Sequence, residues 1–128
     1  MFEVAVEKSN NLLKIHYSGH VDTKESQAGL EPLRSSLAEL SPGFRLLSDF
    51  TGLATMEAGC ALHISQAMDW FNEKGISLIV RIIPDPRKDI GLNILSIFHY
   101  RRGVRIVTVE TLEQATKALG NAEMRNQE

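Results

Sequence analysis

The chain has 128 residues, a length that suits one domain built around one hydrophobic core. Its formal net charge of −2 argues against a global attraction to nucleic acid or to an anionic membrane. A single cysteine, Cys60, excludes an internal disulfide and a multi-thiolate metal site. The start of the chain does not resemble a signal peptide, and no apolar run is long enough for a membrane span, so we expect a cytoplasmic protein.

Two strands are predicted at the start of the chain. Phe2, Val4 and Val6 alternate with polar or small residues, a pattern typical of a half-buried strand. The turn-forming stretch "SNN" separates this segment from a second predicted strand over residues 12–21. The two strands are therefore expected to form an antiparallel hairpin.

The first helix is predicted after Asp22 and Thr23, which are good N-cap residues. Its apolar stripe consists of leucines at helical spacing, namely Leu30, Leu33, Leu37 and Leu40. Pro32 lies inside this pattern. It either kinks the helix or marks the first turn of a shorter helix.

A short buried strand is predicted over residues 44–50, with a turn at Thr51–Gly52 and then a helix over residues 57–75. The buried face of that helix is assigned to residues at helical spacing, namely Ala61, Ile64, Met68 and Phe71. The next segment, "ISLIVRII", is apolar on both faces, as expected for a strand in the middle of a parallel sheet.

Three elements are predicted in the last part of the chain. A helix over residues 84–103 begins with Asp85 as its N-cap, and a strand follows over residues 104–110. The last helix is capped by Thr111 and turns three residues inward, namely Leu112, Ala115 and Leu119. We expect the domain to span residues 1–120 and residues 121–128 to form a flexible tail.

The predicted order is β-β-α-β-α-β-α-β-α. Each strand after the hairpin is followed by a helix, and right-handed crossovers make such strands parallel in one sheet. The sequence therefore predicts a single-domain α/β sandwich, mostly parallel, with an antiparallel hairpin at its amino-terminal edge.

This layout resembles the STAS domain family, which includes bacterial anti-sigma factor antagonists and the cytoplasmic domains of sulfate transporters. The resemblance runs from "FRLLSDFTGL" through "MEAGCALHISQAMDWFNEKGISLIVRII" to "GVRIVTVETLEQATKAL", and with the hairpin it covers nearly the whole chain. It implies a SpoIIAA-like fold and a role in bacterial signal transduction through protein binding.

In the family, an Asp-Ser-Ser-Gly turn opens a helix, and the Ser before the Gly accepts phosphate from an anti-sigma factor kinase. The equivalent residues here are Met56, Glu57, Ala58 and Gly59. Gly59 is kept, but Ala58 has no hydroxyl, so the serine switch is expected to be absent. Glu57 adds a negative charge near the helix N-terminus, where the helix dipole favours an anion.

The first functional hypothesis is a non-enzymatic protein-interaction module that is not phosphorylated at the usual place. Its docking surface is assigned to the turn and the first helical turn, with these residues: Leu53, Thr55, Met56, Glu57, Ala58, Gly59 and Leu62. Three of them, Leu53, Met56 and Leu62, are expected to form an exposed apolar patch. The partner is an anti-sigma factor kinase or another signalling protein, or a second copy of the chain. Thr55 is the nearest hydroxyl to the missing serine, and capping or turn formation is its commoner role.

The second hypothesis is a small-ligand site for a lipid, a nucleotide or another anion. It places the ligand in a crevice at the carboxyl ends of the strands, lined by Asp49, Thr51, Pro84 and Asp85. The alternative for Asp49 is a local turn in which its carboxylate accepts hydrogen bonds from Thr51 and Gly52.

Other candidate sites are weaker. Basic residues cluster late in the chain, namely Arg81, Arg87, Lys88, Arg101, Arg102 and Arg105, and the commonest interpretation of such a cluster is a solvated face. His16 and His20 lie roughly 13 Å apart if both are in one strand, too far for one metal ion. Cys60 is either a reactive thiol near His63 or a packed core residue. No cofactor, metal site, nucleic-acid partner or catalytic motif is predicted.

Overall fold

A computed structural model describes residues 1–85, 99, 100 and 103–127 of the chain. The strands are β1 (Phe2–Glu7), β2 (Leu12–Val21), β3 (Arg45–Met56), β4 (Leu78–Ile82) and β5 (Arg105–Val109). The helices are α1 (Thr23–Ala28), α2 (Leu30–Leu37), α3 (Cys60–Lys74) and α4 (Leu112–Gln127). The helix predicted over residues 84–103 falls almost entirely outside the described residues.

The five strands form one sheet in the order β1-β2-β3-β4-β5. The β1–β2 pair is antiparallel, and the other three pairs are parallel. This confirms the predicted α/β architecture with an antiparallel hairpin at one edge. The short "SNN" turn allows the hairpin, whereas the longer connections carry the chain back for parallel pairing.

Each face of the sheet has its own apolar cluster. On one face Leu13, Leu46 and Ile79 pack with residues of α2 and α3, and on the other face Leu47 and Val80 pack with α4. All five residues of β4 are buried. The prediction that this strand is covered on both faces is therefore confirmed.

The third strand is longer than predicted. The turn expected at Thr51–Gly52 is wrong, because β3 continues without a break to Met56. The reason lies in β2, which extends to Val21 and offers a partner for the additional residues through two irregularities in register. Gly19 lies at one of these irregularities with φ of 63°, a backbone conformation that favours glycine. Backbone hydrogen bonding to β2 prevails over local turn chemistry.

The helices begin close to where the sequence predicts. The Asp22 carboxylate caps α1 by accepting a hydrogen bond from the Glu25 N–H at 2.7 Å. Pro32 lies in the first turn of α2, which is the shorter-helix alternative. The Thr111 hydroxyl accepts a hydrogen bond from the Gln114 N–H at 3.2 Å and so caps α4.

Two helix faces differ from the prediction. Ala61 is exposed, and the buried residues of α3 are Cys60, Ala67, Met68 and Phe71. In α4, Ala115 is buried as predicted, but Leu112, in the first turn of the helix, is exposed. This helix continues to Gln127, past residue 120; the flexibility of the tail stays a prediction.

Candidate functional site

The candidate site lies where β3 ends and α3 begins. The Glu57 N–H donates to the Val21 carbonyl at 3.0 Å, which extends the pairing of β2 with β3 by one residue. The chain then turns, because the Glu57 and Ala58 carbonyls accept hydrogen bonds from the N–H groups of Cys60 and Ala61. We call residues 57–59 the site turn.

The site turn is held against the N-terminus of α1. The Glu57 carboxylate accepts a hydrogen bond from the Thr23 N–H at 2.9 Å, one of the unpaired donors at the start of that helix. The negative charge of Glu57 was expected to interact with the dipole of the helix that follows it, α3. Its carboxylate is hydrogen-bonded to the N-terminus of α1 instead. A Cβ at Gly59 would lie 2.8 Å from the Thr23 hydroxyl oxygen, so this close approach explains the glycine.

Ala58 is exposed and lies two residues before α3. The structure therefore places a methyl group, at the surface, in the position that the family resemblance assigns to a hydroxyl. The exposed Thr55 hydroxyl lies 2.7 Å from His20 Nδ1, across the β2–β3 pairing. The Thr55 hydroxyl is thus hydrogen-bonded to His20 near the end of β3.

The apolar patch expected from Leu53, Met56 and Leu62 does not form as predicted. Leu53 and Met56 are half-buried and pack against the core. Leu62, in the first turn of α3, is 73% exposed. The reason is the continuation of β3, which turns Leu53 and Met56 into strand residues with the core on one side. The apolar contribution of the site to the surface therefore comes from Leu62 together with the small side chains of Ala58 and Ala61.

Cys60 and His63 lie close to the site turn but do not form a pair. Cys60 is fully buried, and its thiol points to the Val21 carbonyl with Sγ and O 3.7 Å apart. His63 Nδ1 lies 2.6 Å from the Ser26 hydroxyl oxygen. Cys60 is thus the packed core residue of the two alternatives, and His63 links α3 to α1.

The alternative crevice residues lie on neighbouring strands. Asp49 lies inside β3 and accepts a hydrogen bond from the Thr51 N–H at 2.9 Å, and its other carboxylate oxygen lies 3.2 Å from His16 Nδ1. The local contact with Thr51 is thus the alternative predicted for Asp49. Pro84 and Asp85 follow β4, the strand that pairs with β3. None of the four lines the cavity described next, and ligand binding by these residues stays a prediction.

Sequence reasoning missed a small cavity between the sheet and α1, α2 and α3. Arg81 lines it and is only 2% exposed, so its assignment to a solvated basic face is wrong. Arg105 is exposed on β5, and the other members of that basic cluster lie outside the described residues. One sequence feature could have revealed that Arg81 is buried. It lies within "ISLIVRII", a strand that the sequence already predicts to be buried on both faces.

Neither metal ligands nor membrane spans emerge from the part of the chain that the structure describes. No three histidine, cysteine or acidic side chains of residues 1–85, 99–100 and 103–127 are grouped so as to hold a metal ion. No helix in these ranges has the length and the apolar character needed to cross a bilayer.

Comparisons with known proteins give matches in structure alone. No family model and no curated protein matches the sequence. An uncharacterised protein of Shewanella loihica PV-4 with a SpoIIAA-like fold matches with a TM-score of 0.69 and 16% identity, over 93% of this chain and 92% of that chain. The chain has the SpoIIAA-like fold.

Two further solved structures with this fold are anti-sigma factor antagonists. SpoIIAA in its unphosphorylated form matches with a TM-score of 0.64 and 11% identity, over 96% of this chain and 98% of that chain. An anti-sigma factor antagonist from Mycobacterium paratuberculosis matches with a TM-score of 0.61 and 17% identity, over 94% and 93%. The SpoIIAA-like resemblance predicted from the sequence is confirmed at the level of the fold.

Proposed function

We propose that the protein is a non-enzymatic interaction module that docks a protein partner through residues 53–62 and lacks a phosphoacceptor at residue 58. The observation that carries the proposal is Leu62, which is 73% exposed in the first turn of α3, next to the exposed site turn. Burying a leucine side chain of this kind in an interface stabilises a complex by about 2 kcal/mol. The fold, shared with two anti-sigma factor antagonists, supports a regulatory role.

The partner is a bacterial signalling protein of the anti-sigma factor kinase type, in the cytoplasm, with self-association as the alternative. Two features of the site fit protein docking. Its backbone is anchored by the hydrogen bonds of Glu57 to Val21 and Thr23, so little ordering is needed on binding. Its surface combines small side chains at Ala58 and Ala61 with the larger anchor of Leu62, which suits close approach of a second protein surface.

Catalysis is not part of the proposal, because the candidate nucleophile near the site is buried and the candidate base is hydrogen-bonded to another side chain. The Cys60 thiol is inside the core, and His63 is bonded to Ser26. A nucleophile needs both access to substrate and a base within hydrogen-bond reach.

Replacing Leu62 tests the docking surface. We expect Leu62→Glu to weaken binding to an anti-sigma factor kinase from the same genome at least tenfold, measured by isothermal titration calorimetry, because the substitution puts a charge into the centre of the interface. Leu112→Glu is the matched control, since Leu112 is also an exposed leucine in the first turn of a helix, 60% exposed, but lies outside the site.

The same pair of variants tests self-association by sedimentation velocity. Leu62→Glu should dissociate a dimer that Leu112→Glu leaves intact. A wild-type protein that neither binds such a kinase nor self-associates, or variants that weaken the complex equally, would contradict the proposed surface.

A further inference from the structure

Strand β1 forms one edge of the sheet. Its inner side pairs with β2 in an unbroken register, and no strand of residues 1–85 or 103–127 pairs with its outer side. An edge of this kind offers backbone N–H and C=O groups to a further strand. Proteins commonly block such an edge with a proline or a bulge, and β1, with the sequence "FEVAVE", has neither.

The hydrogen bonds to β2 identify the residues of β1 that face outward. The Ser18 N–H donates to the Met1 carbonyl at 2.8 Å, and the Met1 amino group donates to the Ser18 carbonyl in return. Bonded and non-bonded positions alternate in an antiparallel pair, so every second residue of β1 also bonds to β2, namely Glu3, Ala5 and Glu7. The intervening residues direct their N–H and C=O groups to the open edge, and we call them the outward residues: Phe2, Val4 and Val6.

The space beside β1 is open. A groove follows the strand and is lined by Phe2 and Val4 on one face and by Glu3 and Ala5 on the other. Because it reaches residues on both faces, the groove passes around the outer edge of β1. Helix α2 packs against the strand on the face of Phe2 and Val4, and Pro32 of that helix lines the groove.

We propose that β1 binds the β1 strand of a second copy of the chain, antiparallel and about a two-fold axis, so that two sheets become one continuous sheet. Such a pairing closes on itself and uses the β1 edge of both copies. With Val4 on the axis, opposite Val4 of the second copy, Phe2 lies opposite Val6. All outward residues of both copies are then paired, through about six backbone hydrogen bonds.

The side chains of β1 favour this register and make the strand complementary to itself. On the exposed face, Glu3 lies opposite Ala5 of the second copy, and no carboxylate lies opposite another. A shift by two residues in one direction places Glu3 opposite Glu7, and a shift in the other direction places it opposite Glu3; like charges directly opposite are destabilising. On the other face, the pairing of Phe2 with Val6 joins an aromatic and a β-branched side chain, which stabilises adjacent strands.

The β1 edge and the proposed docking surface are separate features, since Leu62 does not line the groove along β1. The dimer through β1 therefore differs from self-association through Leu62. Binding of a kinase at Leu62 does not require it, and it does not require that binding. Either proposal can fail while the other holds.

Hydrogen exchange of the full-length protein, measured by NMR over a range of protein concentrations, tests the pairing residue by residue. The amides of Val4 and Val6 should become more protected as the concentration rises and sedimentation velocity shows conversion of monomer to dimer. The amides of Glu3 and Ala5 bond to β2 and should be protected at every concentration. A protein that stays monomeric, or protection of Val4 that does not change with concentration, would overturn the proposal.

Val4→Pro removes an outward N–H and leaves the hydrogen bonds between β1 and β2 in place, so an edge strand should tolerate it. The affinity of the dimer should fall about tenfold, because the two-fold axis removes one donor from each copy. Val4→Ala is the matched control, since it keeps the N–H, and should retain the dimer, as should Leu62→Glu. A dimer that Leu62→Glu dissociates and Val4→Pro leaves intact would contradict the pairing through β1.

Substitutions of Ala5 test the register without altering the backbone, and they apply even if Val4→Pro does not fold. Ala5→Glu should weaken the dimer about fivefold and Ala5→Lys should strengthen it by a similar factor, because residue 5 lies opposite Glu3 of the second copy. Within one copy the preference is reversed, since Ala5 lies opposite Lys14, so a weaker dimer of Ala5→Glu cannot come from misfolding. Ala5→Gln controls for size. Equal effects of the acidic and the basic side chain would rule out the register.

Discussion

Glu57 connects two elements that are far apart in sequence. Its carboxylate binds the N–H of Thr23 at the start of α1, and its own N–H continues the pairing of β2 with β3. Helix α1 has only six residues, so the hydrogen bonds at its N-terminus are a large part of what defines it. Asp22 supplies the local cap, and Glu57, just after the end of the neighbouring strand β3, supplies a second acceptor.

Replacing Glu57 should destabilise the protein most when the new side chain cannot accept the hydrogen bond from the Thr23 N–H. Glu57→Ala removes the acceptor from the Thr23 N–H and should lower the free energy of unfolding by about 1 kcal/mol, measured by urea denaturation. Glu57→Gln keeps an acceptor oxygen and should lose less than half of that amount. Equal losses in the two variants would show that the hydrogen bond to Thr23 is not what Glu57 contributes.

Helices α1 and α2 meet at Gly29, and this junction packs directly on the first strand. Gly29 is buried, and its backbone conformation, with φ of −71° and ψ of −16°, is one that any residue adopts. A glycine is required there for a different reason: a Cβ would overlap ring carbons of Phe2. The edge strand β1 is thus packed against the helical layer through the contact of the Phe2 ring with the backbone of Gly29.

The contact between Gly29 and Phe2 predicts a change of sign in a double-mutant cycle. Gly29→Ala alone should lower the free energy of unfolding by about 2 kcal/mol through overpacking against the ring. In a Phe2→Ala background, where the ring is gone, the same substitution should be neutral or stabilising by up to about 1 kcal/mol, because alanine favours helical backbone over glycine. Urea unfolding of the four proteins measures the cycle, and an equal cost in both backgrounds would rule out the contact as the reason for Gly29.

For the whole molecule, the order of elements follows from local patterns. Alternation in the first strand, the capping residue Asp22 and the doubly apolar run of β4 each encode their own structure in a few residues. Such signals are local, so they can be read without knowing what lies next to them. They are sufficient for the α/β class and for the antiparallel edge.

The details of the site depend on neighbours that are distant in sequence. Thr51–Gly52 has turn chemistry, but β2 offers a partner there and the strand continues. The same extension buries one side of Leu53 and Met56 and leaves Leu62 as the exposed anchor. None of these outcomes is contained in the residues that immediately surround them.

The central proposal is that residue 58 occupies the position of the phosphoacceptor in anti-sigma factor antagonists and differs from it by one hydroxyl. The test restores that hydroxyl with Ala58→Ser and measures phosphorylation by mass spectrometry, using an anti-sigma factor kinase that is active on its own antagonist. The control is Ala61→Ser, another exposed alanine three residues further along. We predict that Ala58→Ser gains one phosphate while the wild type and Ala61→Ser gain none. Phosphorylation of the wild type, or an unmodified Ala58→Ser beside a fully phosphorylated antagonist, would contradict the account.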